Sequence, residues 1–435
     1  MAITATHTQS AAKSGSAYAI YVLILLLLTG TLSNADRHVF SVLLPSIKEE
    51  FNLSNSMLGL LAGPGFVIPF VLLTMPLARL ADRWSRRSVL AGALAFWSIA
   101  SGLCGVVTNA MQLTIARVCV GMGEAGGGPP AQSMVTTLFS KRRSAAMGVL
   151  ASGTYFGILV GLAGGAALAA AFGWRGAFII LAIPGVPLAL LIWLTGPRRK
   201  APLGAKGPAQ ETLWQVLQRC LRIRSLVLLA VGMGAFNIYG YGAAIWLPSY
   251  FTASHGMSMV QAGIWLGAGV AIGGILGSFA SGAIVDALAP RDQRWQLRVP
   301  AMGFLLSFPL TIVMFLMPGA LAVNIAGQAV PAVALLSIAT AFLSSLWMGP
   351  TYAALARLVP ADIRGQAIGL LSVVINIMGS VLGPPIAGGV SDLLTAQFGA
   401  EALRYSLLTM SSLIIVGGLV FWRASAHYRR EIIEE

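Results

Sequence analysis

The sequence is poor in charge. Only 10% of its 435 residues are Asp, Glu, Lys or Arg, where ordinary soluble domains carry roughly a quarter. With 57% hydrophobic residues beside it, that shortage excludes an ordinary soluble enzyme. Acidic residues are the scarcer sign, 14 against 28 basic ones. The basic residues sit in loops between apolar runs, so the net charge of +14 reads as membrane orientation and not as nucleic-acid binding. Three cysteines, Cys104, Cys119 and Cys220, form no disulfide framework and lack metal-ligand spacing. No Cys/His/carboxylate set, no Ser/His/Asp group and no Gly-Lys-Thr/Ser phosphate loop stands out. Neither catalysis nor an ATP-driven pump is expected, nor any metal or cofactor. Segments of about ten residues that alternate polar with apolar, the mark of a transmembrane barrel, are also missing. The first apolar run follows a polar start over 1–16 and is too long for a cleavable signal peptide.

What the chain does have is long apolar runs. A bilayer core needs about 20 such residues per helical span, and twelve candidates can be marked. In the first half they lie at roughly 18–44, 57–78, 88–108, 112–139, 145–171 and 175–195. In the second half they lie at roughly 225–252, 259–285, 298–318, 328–357, 366–393 and 402–423. The 50 Gly and 21 Pro suit membrane helices that pack closely. The expected class is an all-α integral membrane protein. With both termini placed in the cytoplasm, all but five of the 28 basic residues fall on that side, an asymmetry that sets orientation.

The longest polar stretch divides the spans six and six. The expected organisation is a cytoplasmic tail (1–17), a first bundle (18–195), a linker (196–224), a second bundle (225–423) and a second tail (424–435). Within the linker, Leu213, Trp214, Val216, Leu217, Cys220 and Leu221 alternate with Gln215, Gln218, Arg219 and Arg222 as in an interfacial helix. The halves echo each other. Ala78-Arg79-Leu80-Ala81-Asp82 after span 2 has a counterpart in Gly282-Ala283-Ile284-Val285-Asp286 after span 8. Arg143-Ser144-Ala145-Ala146-Met147-Gly148 before span 5 is answered by Arg364-Gly365-Gln366-Ala367-Ile368-Gly369 before span 11. Two echoes in matching loops argue for an internal duplication.

The loop Ala78-Arg79-Leu80-Ala81-Asp82-Arg83-Trp84-Ser85-Arg86-Arg87 resembles the signature loop of the major facilitator superfamily, with Ala78 and Ser85 where Gly is usual. A narrower resemblance rests on Asn34-Ala35-Asp36-Arg37, Phe96-Trp97-Ser98, Arg117-Val118-Cys119-Val120-Gly121-Met122-Gly123-Glu124-Ala125 and Gly173-Trp174-Arg175. These look like the spinster-like branch, whose animal members move lysophospholipids and phosphorylated sphingoid bases. The resemblance implies two pseudo-symmetric six-helix bundles around a central cavity that opens alternately to either side. It also places Asp82 and Arg83, with Arg143 and Asp286 in the related loops, at an inner gate. There Asp82 would cap span 11 when the cytoplasmic side closes, whereas Arg86 and Arg87 read equally as orientation charges.

Asp36, Arg37, His38, Arg117 and Glu124 lie inside apolar spans, where ionised groups are costly and usually paired and functional. Arg117 and Glu124 are seven residues apart, so they share one face of span 4. The expectation is that Asp36 and Arg37 meet Arg117, with Glu124 nearer the midplane. Asp36 and Glu124 would be the protonatable groups and Arg117 the fixed charge that biases them. The plainer alternative is a static bridge locking spans 1 and 4. His38 titrates in a useful range, but a lone His also reads as a hydrogen-bonded wall residue. Gly126 to Pro130 should break span 4 just after Glu124, as backbone lining a cavity does. Gly153, Gly157 and Gly161 recur every four residues and should let another helix approach.

The second half has no charge deep in its spans. Its polar residues are Asn237 and Tyr241 in span 7, Ser345, Thr351 and Tyr352 in span 10, and Asn376 in span 11. With Arg117, Glu124 and Tyr155 they form the expected substrate-binding set. An amphiphile suits such a cavity, with Arg117 and also Arg37 toward its anionic head and apolar walls toward its tail. The expected function is a proton-coupled transporter of a lipid-like or organic anion in a bacterial-type inner membrane, monomeric and surrounded by lipid, with no nucleic acid as partner. A symporter of small hydrophilic acids and a non-transporting sensor are the alternatives.

Overall fold

The computed structural model describes residues 3–139, 142–197, 213–319, 321–325, 328–360 and 363–433. Lys141 and most of the linker, 198–212, lie outside the described residues. The first half runs through α1 (Ile3–Phe51), α2 (Asn55–Ala62), α3 (Pro64–Arg83), α4 (Arg86–Cys104), α5 (Ala110–Glu124), α6 (Gly128–Leu138), α7 (Arg143–Leu159), α8 (Gly165–Ala182) and α9 (Gly185–Thr195). After α10 (Leu213–Arg222) come α11 (Arg224–His255), α12 (Met259–Leu288) and α13 (Trp295–Leu316). A hairpin of β1 (Ala322–Ile325) and β2 (Gln328–Pro331) precedes α14 (Ala332–Ser344) and α15 (Met348–Leu358). The chain ends with α16 (Arg364–Asn376), α17 (Gly383–Phe398), α18 (Ala402–Met410) and α19 (Ser412–Glu431).

Nine helical stretches among the described residues are long and apolar enough to cross a membrane. Two of them, Ala145–Thr195 and Arg364–Glu431, run to 51 and 68 residues, about twice the length of one crossing or more. Each turns back at a glycine with positive φ, Gly173 (72°) and Gly399 (54°), a conformation that costs glycine little. With the broken pair α5 and α6, this agrees with twelve spans. The protein is a multi-pass, all-α integral membrane protein.

Several elements differ from the sequence reading. The tail 1–17 begins instead as helix, because α1 extends from Ile3 and the tail itself contains no proline. Span 2 breaks at Gly63, whose φ and ψ are both −95°, since Pro64 lacks the N–H that would continue the ladder. Residues 328–331 pair as a strand with Ala322–Ile325 in antiparallel register, Val323 opposite Val330, so span 10 starts later than 328. Two π-helical turns interrupt spans 5 and 11, at Val160–Gly164 and Ile377–Leu382.

The described chain separates into two compact units. Unit 1 holds Met1–Phe40 and Ile68–Ala205, and unit 2 holds Ser41–Val67 and Lys206–Glu435. In unit 1 the glycine ladder of α7 and the following π turn receives α1. A Cβ at Gly157 would lie 2.5 Å from the Thr31 carbonyl oxygen, and one at Gly161 would lie 2.6 Å from that of Ala35. In unit 2, α2 packs on α17 with the same intimacy: a Cβ at Gly59 would fall 2.5 Å from the Pro384 carbonyl oxygen. The core of unit 2 is aromatic, with Phe236 stacked on Phe304 at 4.2 Å and Phe304 edge-on to Phe421 at 5.4 Å.

Candidate functional site

Span 4 stops being helical directly after Glu124: α5 ends there, residues 125–127 turn, and α6 begins at Gly128 with proline in its first turn. Glycine is required by neighbours rather than by dihedral angles. A Cβ at Gly123 would lie 2.7 Å from the Trp97 Cβ, and one at Gly127 would lie 3.3 Å from the Trp97 ring. The close approach of α4 fixes the level at which the Glu124 side chain sits.

Two ion pairs join α1 to α5. Arg117 donates to Asp36 Oδ2 at 3.1 Å, with side chains only 2% and 8% exposed. Ser101 Oγ donates to Asp36 Oδ1, and the guanidinium lies over the Phe40 ring, 4.5 Å from its centre. Two turns along α5, Arg37 Nε and a terminal nitrogen of its guanidinium donate to Glu124 Oε2 at 2.8 and 2.7 Å. Ser33 Oγ adds a third bond to that oxygen at 2.7 Å. The other oxygen, Oε1, is buried and accepts no hydrogen bond from the described residues.

This pairing corrects one expectation. Arg37 does not share Arg117 with Asp36; it turns to Glu124. Consecutive helical residues point about 100° apart, and here Asp36 pairs with Arg117 while Arg37 pairs with Glu124.

The second pair, not the first, lines a cavity of about 350 Å³ within unit 1. Its wall is mixed, with Arg37, Glu124, Ser33 and Asn34 among Phe70, Trp97, Leu26 and Met147. Arg37 is 36% exposed at its side chain and rests on Phe70, 5.0 Å from the ring centre. Arg117, read from the sequence as cavity-facing, is 1% exposed and outside the lining. Residue 117 lies too deep between α1 and α4. His38 packs against Gly161 and also stays outside the lining, as does Tyr155.

The polar residues expected of the second half fall in unit 2. Asn237 donates to the Met233 carbonyl, and Tyr241 donates to Asn376 Oδ1 at 3.1 Å. Tyr352 sits against Trp347, ring centres 6.2 Å apart, Thr351 is buried, and Ser345 opens the short 3₁₀ turn Ser345–Trp347. Asp82 pairs with Arg86 at 3.3 Å, while Arg83, Arg143 and Asp286 are exposed.

One arrangement escaped the sequence reading. Asp392 near the end of α17 receives the first amides of α2, Asn55 N at 3.0 Å and Ser56 N at 2.7 Å, together with Ser56 Oγ. Asn55 Nδ2 donates to Ser391 Oγ at 3.0 Å, and Lys48 donates to Asn55 Oδ1 at 2.7 Å. A carboxylate on exposed helix-terminal amides is favourable on both hydrogen-bond and dipole grounds. The only local hint is Ser54-Asn55-Ser56 at a helix start.

A membrane-embedded helical bundle with paired charges beside an amphiphilic cavity is the architecture of a solute transporter. The chain belongs to the major facilitator superfamily, whose family model matches residues 26–348. An MFS-type efflux pump of Mycolicibacterium smegmatis is 33% identical over 436 residues, covering 99% of this chain and 98% of that protein. A hexuronate transporter of Bacillus subtilis is 25% identical over 411 residues, 91% of this chain and 93% of the relative. Among solved structures, a bacterial homologue of the human lysosomal transporter spinster, inward-facing and unoccupied, superposes with a TM-score of 0.83 at 25% identity, covering 96% of this chain and 99% of that one. The chain is a membrane transporter similar to the spinster branch, and not an enzyme.

Proposed function

We propose that the protein is a proton-coupled secondary transporter working by alternating access, with both termini cytoplasmic in a bacterial inner membrane, and that it moves an amphiphilic or lipid-like organic anion. The observation that carries this is the environment of Glu124. All three donors converge on Oε2, so a proton can be added at Oε1 without displacing Ser33 or Arg37. Protonation removes the charge that holds Arg37, and the guanidinium, already on the cavity wall, turns to an anionic substrate. The phenyl, indole and aliphatic part of the wall suits an apolar portion of the same molecule.

Asp36 and Arg117 form the second coupled pair in this reading, and substrate contact passes to Arg37, Ser33 and Asn34 in the first half. The bonds from α2 to Asp392 act as an outer gate that must break when the non-cytoplasmic side opens. Asp82, with Arg83, Arg143 and Asp286, serves the inner one.

Proton flux in proteoliposomes challenged with lysophospholipids, sphingoid-base phosphates and small organic acids tests the proposal. Flux evoked by an amphiphile in the wild type and abolished in Glu124→Gln is expected. Flux evoked only by hydrophilic acids would favour a second reading, which the hydroxyl and amide groups of the cavity wall and the hexuronate-transporter relative support. Binding without flux in either case would remove proton coupling.

A further inference from the structure

On the membrane face that carries the basic loops, α10 lies against α11 and α16 and leaves two adjoining depressions. The first, about 250 Å³, is lined by apolar residues and Cys220, among them Leu217, Leu221, Val231, Leu370, Val374 and Met378. The second, about 390 Å³, has a largely apolar wall that also carries Arg219, Arg222 and Glu431. Cys220 borders both. The carboxylate of Glu431 is already engaged, accepting from Arg224 N at 3.2 Å and Ser225 N at 2.8 Å at the start of α11. Among the described residues that line the second depression, two guanidinium groups stand against this one carboxylate, a net positive wall. Trp214 and Leu221, on the same helix, are 65% and 59% exposed, as suits a helix lying in the membrane interface.

We propose that the two depressions form one binding site for an anionic phospholipid, its acyl chain in the groove between α10, α11 and α16 and its phosphate at Arg219 and Arg222. Charge complementarity selects the occupant. A soluble anion gains nothing from a hydrocarbon-lined groove, and an apolar helix gains nothing from the arginines, whereas a lipid at the cytoplasmic interface presents both parts at the required spacing. Basic pockets beside transmembrane helices bind lipid head groups for this reason. The site is separate from the Glu124 cavity of unit 1, and its occupant is a resident lipid that seats the linker helix, not cargo.

Cys220 supplies the reporter. In a Cys104→Ser/Cys119→Ser background it is the remaining thiol. Burial raises its pKa, so maleimide labelling is run at alkaline pH. Nanodiscs of phosphatidylcholine alone are compared with nanodiscs containing phosphatidylglycerol, and retained lipid is counted by native mass spectrometry. Two arginines contributing about 1 kcal/mol each near a charged surface give a preference of roughly 30-fold for the anionic lipid. Phosphatidylglycerol is therefore expected to slow labelling strongly, and Arg219→Gln/Arg222→Gln to abolish that protection. Val374→Trp, which fills the groove and leaves the arginines in place, should release the retained lipid. Equal labelling with both lipids overturns the proposal. Protection by both lipids that survives loss of the arginines also overturns it. Displacement by a transported lysolipid would assign the site to cargo and overturn it as a resident-lipid site.

Discussion

Replacing Arg117 by Leu strips one partner from a pair that is almost dry. Asp36 would be left at 8% side-chain exposure with Ser101 as its remaining hydrogen-bond donor among those described. Breaking a buried ion pair from one side costs about 3–5 kcal/mol, and the lost stacking on Phe40 adds about 1 kcal/mol. Asp36→Asn removes the carboxylate from a guanidinium 2% exposed, at a similar cost. The double variant has no uncompensated charge and should return to within about 2 kcal/mol of wild type, because replacing a whole buried pair is often near neutral. A coupling energy of about 3 kcal/mol or more should therefore emerge from the cycle. The assay is equilibrium unfolding in mixed micelles, followed by tryptophan fluorescence, to which Trp97 and Trp174, both buried in unit 1, contribute. Additivity of the two substitutions to within about 0.5 kcal/mol would refute the account of a desolvated lock. The same cycle on Arg37 and Glu124 should give a smaller coupling, about 1–2 kcal/mol, because Arg37 is 36% exposed and water in the cavity replaces part of what is lost.

Gly157→Ala should cost about 1–3 kcal/mol by overpacking, since its new methyl meets a backbone carbonyl at 2.5 Å. Gly164→Ala, whose new methyl would meet Val160 Cγ1 at an ordinary 3.8 Å, should be silent in the same unfolding assay. Asp392→Ala removes charge-assisted bonds from the α2 N-terminus, worth roughly 2 kcal/mol together, and should shift the outward-open population about 30-fold, read by alkylation of a cysteine placed at Ser249. An unchanged alkylation rate would dismiss the outer gate. If Asp36 and Glu124 both carry protons, Asp36→Asn and Glu124→Gln should each alter the pH dependence of uptake; unchanged profiles in both would reduce the pairs to static bridges.

Much of this was legible because the membrane makes certain residues conspicuous. Charges inside apolar runs stand out by their cost, so Asp36, Arg37, Arg117 and Glu124 could be picked without coordinates. Gly153, Gly157 and Gly161 announced a helix contact, and the glycines after Glu124 announced a break. What the pattern left open was rotation. Periodicity places Asp36 and Arg37 on one helix but does not say which of two arginines meets which carboxylate, because long side chains reach across more than one turn. Asp392 was missed for another reason: an acid near a helix end reads as solvated, and its partners in α2 lie 336 and 337 residues away. Second-half polar residues were visible as residue types, yet a Ser or Asn that returns its hydrogen bond to its own helix looks the same in sequence as one that faces a ligand.

The π turn at Ile377–Leu382 acts as a phase shifter. By holding an extra residue it rotates everything beyond it, α17 included, relative to an uninterrupted helix. Deleting one residue there would restore the ordinary winding, turn Asp392 by about 100° and draw it back about 1.5 Å. The carboxylate would then point away from the amides of Asn55 and Ser56, although none of the three residues had been touched. The aim of Asp392 is thus set some three turns away, by the count of residues rather than by their identity.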